Sequence, residues 1–99
     1  MLNIEKTVNE LTLSLTLSGR LDTTTAGDLE KSIKESIDGV NTLTIDMEQL
    51  EYISSAGLRV LLSAQKTMNK QGEMKILNVS ETIMEIFEVT GFSEILKIE

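Results

Sequence analysis

Ile53-Ser54-Ser55-Ala56-Gly57-Leu58 is the stretch on which the fold turns. Downstream, Leu58, Leu61, Leu62, Gln65 and Met68 recur at helical spacing, and Gly72 is a stop signal. Upstream, Leu43, Ile45 and Met47 alternate with Thr42, Thr44 and Asp46 as in a half-buried strand, and Tyr52-Ile53 forms a short apolar stub. The run therefore marks a strand-to-helix junction. Two hydroxyls and two small residues stand where a helix begins. A helix start carries unpaired N–H groups and partial positive charge, so it accepts an added anion. One serine suffices as an N-cap, worth about 1 kcal/mol. The second hydroxyl exceeds that need. Gly57, in the first turn, costs about 1 kcal/mol relative to Ala. A bare helix start of this kind suits close approach of another molecule to the backbone.

Outward from this junction the rest of the chain falls into place. Leu11, Leu13, Leu15 and Leu17 alternate with Thr12, Ser14, Thr16 and Ser18, which reads as a strand with one wet face. Leu2, Ile4 and Val8 suggest an earlier strand, joined to it by a tight turn at Asn9-Glu10. Gly19-Arg20-Leu21-Asp22 is expected to break the second strand, and Asp22 or one of Thr23, Thr24 and Thr25 to cap a helix. That helix carries Ala26, Leu29, Ile33 and Ile37 as its stripe and ends at Gly39. Met74 and Ile76, with Val79, give a further strand. Ser80 caps a third helix with Ile83, Ile86, Phe87 and Thr90 inside, Glu81, Glu85 and Glu88 outside, and Gly91 at its end. Phe92 to Ile98 reads as a helical turn followed by a short strand. The order β-β-α-β-(β)-α-β-α predicts an α/β fold with parallel strand pairs joined by helical crossovers. Alternating strands place the helices mainly on one face of a small mixed sheet. Four to five strands and three to four helices are expected, in a single domain over residues 1–99.

Composition narrows the function. Ninety-nine residues make one domain, burying about 65% of the unfolded chain's surface. Only three aromatics contribute, so the core is aliphatic. A net charge of −7 argues against nucleic acid and anionic membrane surfaces as partners and favours a basic protein face. The chain has no Cys and no His, which removes thiolate chemistry, the commonest general base and the commonest metal ligand; no metal site is expected. Neither the P-loop nor the dinucleotide pattern occurs. Ser55 has no Lys nearby in sequence to activate it, and the pairs Asp46/Glu48 and Glu85/Glu88 have the spacing of solvated faces. The chain reads as a binding protein, not an enzyme. No segment approaches the about 20 apolar residues of a membrane span, and Met1-Leu2-Asn3-Ile4-Glu5 is unlike a signal peptide, so a cytoplasmic location is expected. With no long exposed apolar segment, the free protein is expected to be a monomer.

Gly19-Arg20-Leu21-Asp22 with its following threonines, Ile45-Asp46-Met47, and Tyr52-Ile53-Ser54-Ser55-Ala56-Gly57-Leu58-Arg59-Val60-Leu61 together resemble a STAS domain, in particular the bacterial anti-sigma-factor antagonists. Gly72-Glu73-Met74 and the segment Phe87 to Phe92 also fit, so the resemblance spans essentially the whole chain. It implies partner switching. The dephosphorylated protein would bind an anti-sigma factor that is itself a serine kinase, releasing the sigma factor. The kinase, supplying its own ATP and magnesium, would phosphorylate one serine and abolish binding, and a serine phosphatase would restore it. No cofactor of this chain's own is implied.

The family's phosphorylated residue stands two before the glycine, which here is Ser55, with Ser54 as second candidate. Asp22 matches the family's loop aspartate. Asp22, Thr24, Ser54, Ser55, Ala56, Gly57, Leu58 and Arg59 are the implied partner-binding set. Two features depart from the pattern: Ser54 stands where many relatives carry Asp, and Ala56 where Ser or Thr is frequent. Arg59 either meets the partner or pairs with a nearby acid. The other reading of the same fold is a STAS subunit of a transport or stress-sensing complex without a sigma-factor link.

Overall fold

Period-two leucines and isoleucines become aligned apolar rows across a four-stranded sheet. The computed structural model describes residues 1–99, with strands β1 (Leu2–Asn9), β2 (Thr12–Leu21), β3 (Thr42–Ile53) and β4 (Glu73–Leu77) in the order β1-β2-β3-β4. β1 pairs antiparallel with β2, whereas β2–β3 and β3–β4 are parallel. Leu13, Leu43 and Met74 form one row, Leu15, Ile45 and Ile76 the next, and Ile4 lies opposite Leu17. The opposite face is polar: Ser14, Thr44 and Lys75 share a row, and the Thr44 hydroxyl donates to Ser14 Oγ at 3.1 Å.

Both parallel crossovers step the same way across the sheet. With the usual right-handed connection, that puts their helices on one face. These are α1 (Ala26–Lys34) and α2 (Ser55–Gln71), which pack on each other. α3 (Glu81–Thr90) leaves β4 and packs against β3, burying Ile83 and Phe87. Twenty-four buried apolar residues form one core. A 3₁₀ turn at Phe92–Glu94 leads to Ile98, which bridges in parallel to Ile76, so the C-terminal segment is both a helical turn and a short strand-like closure. Four strands and three helices lie within the expected range.

Several boundaries differ from the sequence expectation, each for a local reason. Gly19 does not end β2. It sits at φ +94°, where a Cβ would collide with the Met1 carbonyl, and the strand continues through Leu21. Tyr52-Ile53 is no separate stub. β3 runs unbroken through two bulges, between its pairings to Thr16 and Ser18 and to Gly19 and Arg20, so its buried residues fall at 43, 45, 47, 50 and 53. Asp46 Oδ1 accepts the Glu48 N–H at 2.9 Å and holds the first bulge. α1 stops at Lys34, not Gly39; Ile37 still reaches the core because its N–H returns to the Ile33 carbonyl at 2.9 Å. The hairpin turn lies at Glu10-Leu11, one residue later than expected, because Asn9 pairs with Thr12. Leu11 and Val8 consequently face solvent, as does Thr90 at the end of α3.

Candidate functional site

β2 and β3 end side by side, and both chains turn into helices at that edge. The Ser54 N–H donates to the Leu21 carbonyl at 2.8 Å, continuing the parallel pairing one step past the strands. That single bond ties the residue before Asp22 to the residue before Ser55. Open sheets with parallel strands place their sites at this carboxyl edge.

The two serines have different tasks. Ser54 is extended (φ −96°, ψ 174°) and is the N-cap of α2: its Oγ accepts the Gly57 N–H at 3.4 Å and its carbonyl accepts the Leu58 N–H at 2.9 Å. It is half-buried. Ser55 is the first helical residue and is exposed, and its hydroxyl makes no hydrogen bond within the chain. The free hydroxyl thus stands at the positive end of a 17-residue helix.

Asp22 closes a tight loop between β2 and α1. Its Oδ1 accepts the Thr24 hydroxyl at 2.7 Å, the Thr24 N–H at 3.0 Å and the Thr25 N–H at 3.1 Å. Buried Thr25 buttresses this loop, donating its hydroxyl to the Arg20 carbonyl at 2.9 Å and accepting the Asp22 N–H at 2.8 Å. The Thr24 hydroxyl, first, holds the Asp22 carboxyl below its ordinary pKa; partial desolvation opposes this, and the Thr25 hydroxyl and both backbone N–H groups reinforce it. The expected side-chain cap of α1 takes another form. Thr25 is the N-cap residue without a capping side-chain bond, and Asp22 organises the turn ahead of it.

Arg20 and Tyr52 complete the rim. Paired across β2 and β3, they bring the guanidinium carbon 4.5 Å from the ring centroid, with Arg20 Nε 4.0 Å from Asp22 Oδ2. Sequence reasoning did not single out either residue as part of the site. Their pairing depends on the second bulge, which alternation does not reveal.

Of the eight residues expected to meet a partner, Asp22, Thr24, Ser54, Ser55, Ala56 and Arg59 reach the surface at this edge, Asp22, Ser54 and Ala56 only partly. Arg59 is exposed and forms no ion pair. Gly57 and Leu58, by contrast, are buried. Leu58 is 6% exposed and belongs to the core. Gly57 is buried, and a Cβ there would lie 2.6 Å from Leu21 Cγ and 3.0 Å from Ile53 Cγ1. Its lack of a side chain lets α2 start close to the strand ends, which is an internal packing need.

The STAS domain family model matches residues 3–99. The chain belongs to the STAS domain family. It is 30% identical over 99 residues to the anti-sigma-B factor antagonist of Staphylococcus aureus (strain NCTC 8325 / PS 47), covering 98% of this chain and 92% of that protein. The fold is that of an anti-sigma factor antagonist from Mycobacterium paratuberculosis (TM-score 0.89, 20% identity, 99% of this chain and 85% of that one). It is also that of the Bacillus cell fate determinant SpoIIAA in its phosphorylated form (TM-score 0.75, 22% identity, 100% and 91% covered). No helix of this STAS chain is long and apolar enough to cross a membrane.

Proposed function

We propose that this STAS domain is an anti-sigma-factor antagonist switched by phosphorylation of Ser55. The division of labour between the two serines carries the reading: Ser54 is committed to capping α2, while Ser55 is exposed and free at the same helix start. The kinship with the staphylococcal antagonist supports it. The unphosphorylated protein binds an anti-sigma factor through the edge formed by Asp22, Thr24, Ser54, Ser55, Ala56 and Arg59, and the sigma factor is released. The partner, acting as serine kinase with its own ATP and magnesium, transfers a phosphoryl group to Ser55, and a serine phosphatase removes it. The exchange takes place in the cytoplasm.

Phosphorylation adds about −1.5 to −2 charge. At the helix start it gains about 0.3–1 kcal/mol from the dipole. Against a packed interface the same group is repelled and poorly solvated, and a loss of about 3 kcal/mol weakens binding more than a hundredfold. The test is incubation with the anti-sigma factor kinase and ATP, followed by mass spectrometry. Label should map to Ser55 and disappear in Ser55→Ala; a Ser55→Ala protein that accepts label as well as the wild type refutes the assignment. Ser55→Asp should weaken the complex while leaving the fold intact.

A further inference from the structure

α3 buries one apolar face in the core, and a narrower apolar stripe, Ile86 and Val89, still reaches its outer side. Ile83 and Phe87 point inward and are fully buried. On the outer side, Thr82, Glu85, Ile86, Val89 and Thr90 line an open hollow of about 330 Å³. Every lining residue comes from α3 itself, at the i, i+3, i+4, i+7, i+8 spacing of a helix face that packs on another element. Across the hollow the second wall is missing. Val89 is 82% exposed, and Ile86, half-buried against the core, turns its remaining surface to the same side.

The charges say what belongs on it. The span 81–94 contains Glu81, Glu85, Glu88 and Glu94 and no Lys or Arg. None of these four carboxylates is ion-paired, so this stretch carries uncompensated negative charge. A second copy of this chain would set four carboxylates against four, and nucleic acid or an anionic bilayer would be repelled likewise. A basic amphipathic helix meets both demands: an apolar seam for Ile86 and Val89, and Lys or Arg for the flanking glutamates.

We propose that the outer face of α3 is a second docking surface, separate from the serine edge, for a basic amphipathic helix of a protein partner. It does not rest on the phosphorylation reading.

The test uses the full chain, ¹⁵N-labelled, titrated with a synthetic 18-residue amphipathic Lys/Leu helix and with a scrambled peptide of identical composition. Amide shifts should concentrate on residues 82–90 for the amphipathic peptide. Val89→Glu, a change at an exposed position that leaves the inner face untouched, should weaken binding about tenfold or more, as loss of a central apolar contact does. Glu85→Gln with Glu88→Gln should weaken it and reduce its salt dependence, and Ser55→Asp should change nothing. Equal binding of the scrambled peptide, shifts centred on the α2 start, or unaltered affinity in Val89→Glu would each overturn the proposal. So would sedimentation showing that the chain self-associates through this face and that Val89→Glu abolishes the association.

Discussion

Replacing Gly57 by Ala tests whether the bare start of α2 serves the fold or a visitor. In a helix, Ala is favoured over Gly by about 1 kcal/mol, and an exposed site would show that gain. Here the added methyl would sit 2.6 Å from Leu21 Cγ, 2.9 Å from Leu21 Cδ2 and 3.0 Å from Ile53 Cγ1. Leu21 is 0% and Ile53 2% exposed, so neither can step aside into water. Overpacking of this kind costs about 1–3 kcal/mol. The net expectation is a loss of about 1 kcal/mol, or roughly 4–8 °C in Tm for a domain of this size. Urea unfolding followed by circular dichroism measures it, with an unchanged slope showing that the effect lies in stability. A double-mutant cycle gives the cause. In a Leu21→Ala background the closest contact is gone, so Gly57→Ala should become neutral or stabilising there. If Gly57→Ala is as stable as the wild type, the close approach does not constrain the helix, and the glycine would have to be explained from outside the chain.

Ser54→Ala should cost about 0.5–1 kcal/mol through the lost cap, its 3.4 Å bond placing it at the weak end of such caps, whereas Ser55→Ala should stay within about 0.5 kcal/mol of wild type; equal losses in the two variants would contradict the division of tasks. The depressed pKa of Asp22 means that the unfolded chain binds the proton more readily, so its stabilisation is complete above the ordinary carboxylate pKa and is lost as pH falls through the lower folded value. Carboxyl-detected NMR should find Asp22 titrating below its ordinary value, and Thr24→Val should raise it, since the Thr24 hydroxyl is the chief cause; a titration at the ordinary value would refute the loop geometry. Glu73 also contributes to acid sensitivity, held down first by its hydrogen bond from Lys97 and then by Lys75, so Asp22→Asn should reduce the acid-side slope of stability without abolishing it. Glu10 occupies φ +55°, a region that suits Asn better than Glu, and Glu10→Asn should gain roughly 0.5 kcal/mol in thermal unfolding; a loss would mean that the Glu10 side chain supports the hairpin.

The sheet was legible where its period was regular. Leu13, Leu15 and Leu17, and Leu43, Ile45 and Met47, announced both the strands and their buried face, and the parallel crossovers followed from element order. The second half of β3 was not legible, because two bulges stretch the spacing of Met47, Leu50 and Ile53 to three and a period-two reading loses the strand there. That same irregularity hid the pairing of Arg20 with Tyr52. The cap was readable at Ser80, and for α2 only to within Ser54 and Ser55, where hydroxyls precede a clear helical stripe. The end of α1 was not, because Ile37 continues the stripe after the helix has stopped. At the site, residue types located the serine pair, and the family resemblance the loop aspartate. Whether Gly57 and Leu58 faced a partner or the core depended on the packing of Leu21 and Ile53 against them, which is a long-range fact.

The geometry also bears on why a switch at this edge needs no rearrangement of its host. A phosphate on Ser54 would have to be built on the half-buried Oγ that already accepts the Gly57 N–H, so the capping residue itself would have to carry the signal. A phosphate on Ser55 leaves that bond in place and meets the exposed first turn, where the dipole favours it by about 0.3–1 kcal/mol. Asp22 pulls the other way: its carboxyl is held ionised by Thr24 and Thr25, and the Leu21–Ser54 bond keeps its loop beside the helix start. Attraction from the helix and repulsion from the aspartate act with opposite sign, so the host's own stability should barely register the modification. A partner pressed against the same edge has no such balance, since it must desolvate both anions at once. The proposed switch therefore draws its discrimination from the interface, and melting temperatures of the free protein with and without phosphate on Ser55 should agree within a few degrees even where the complex is lost.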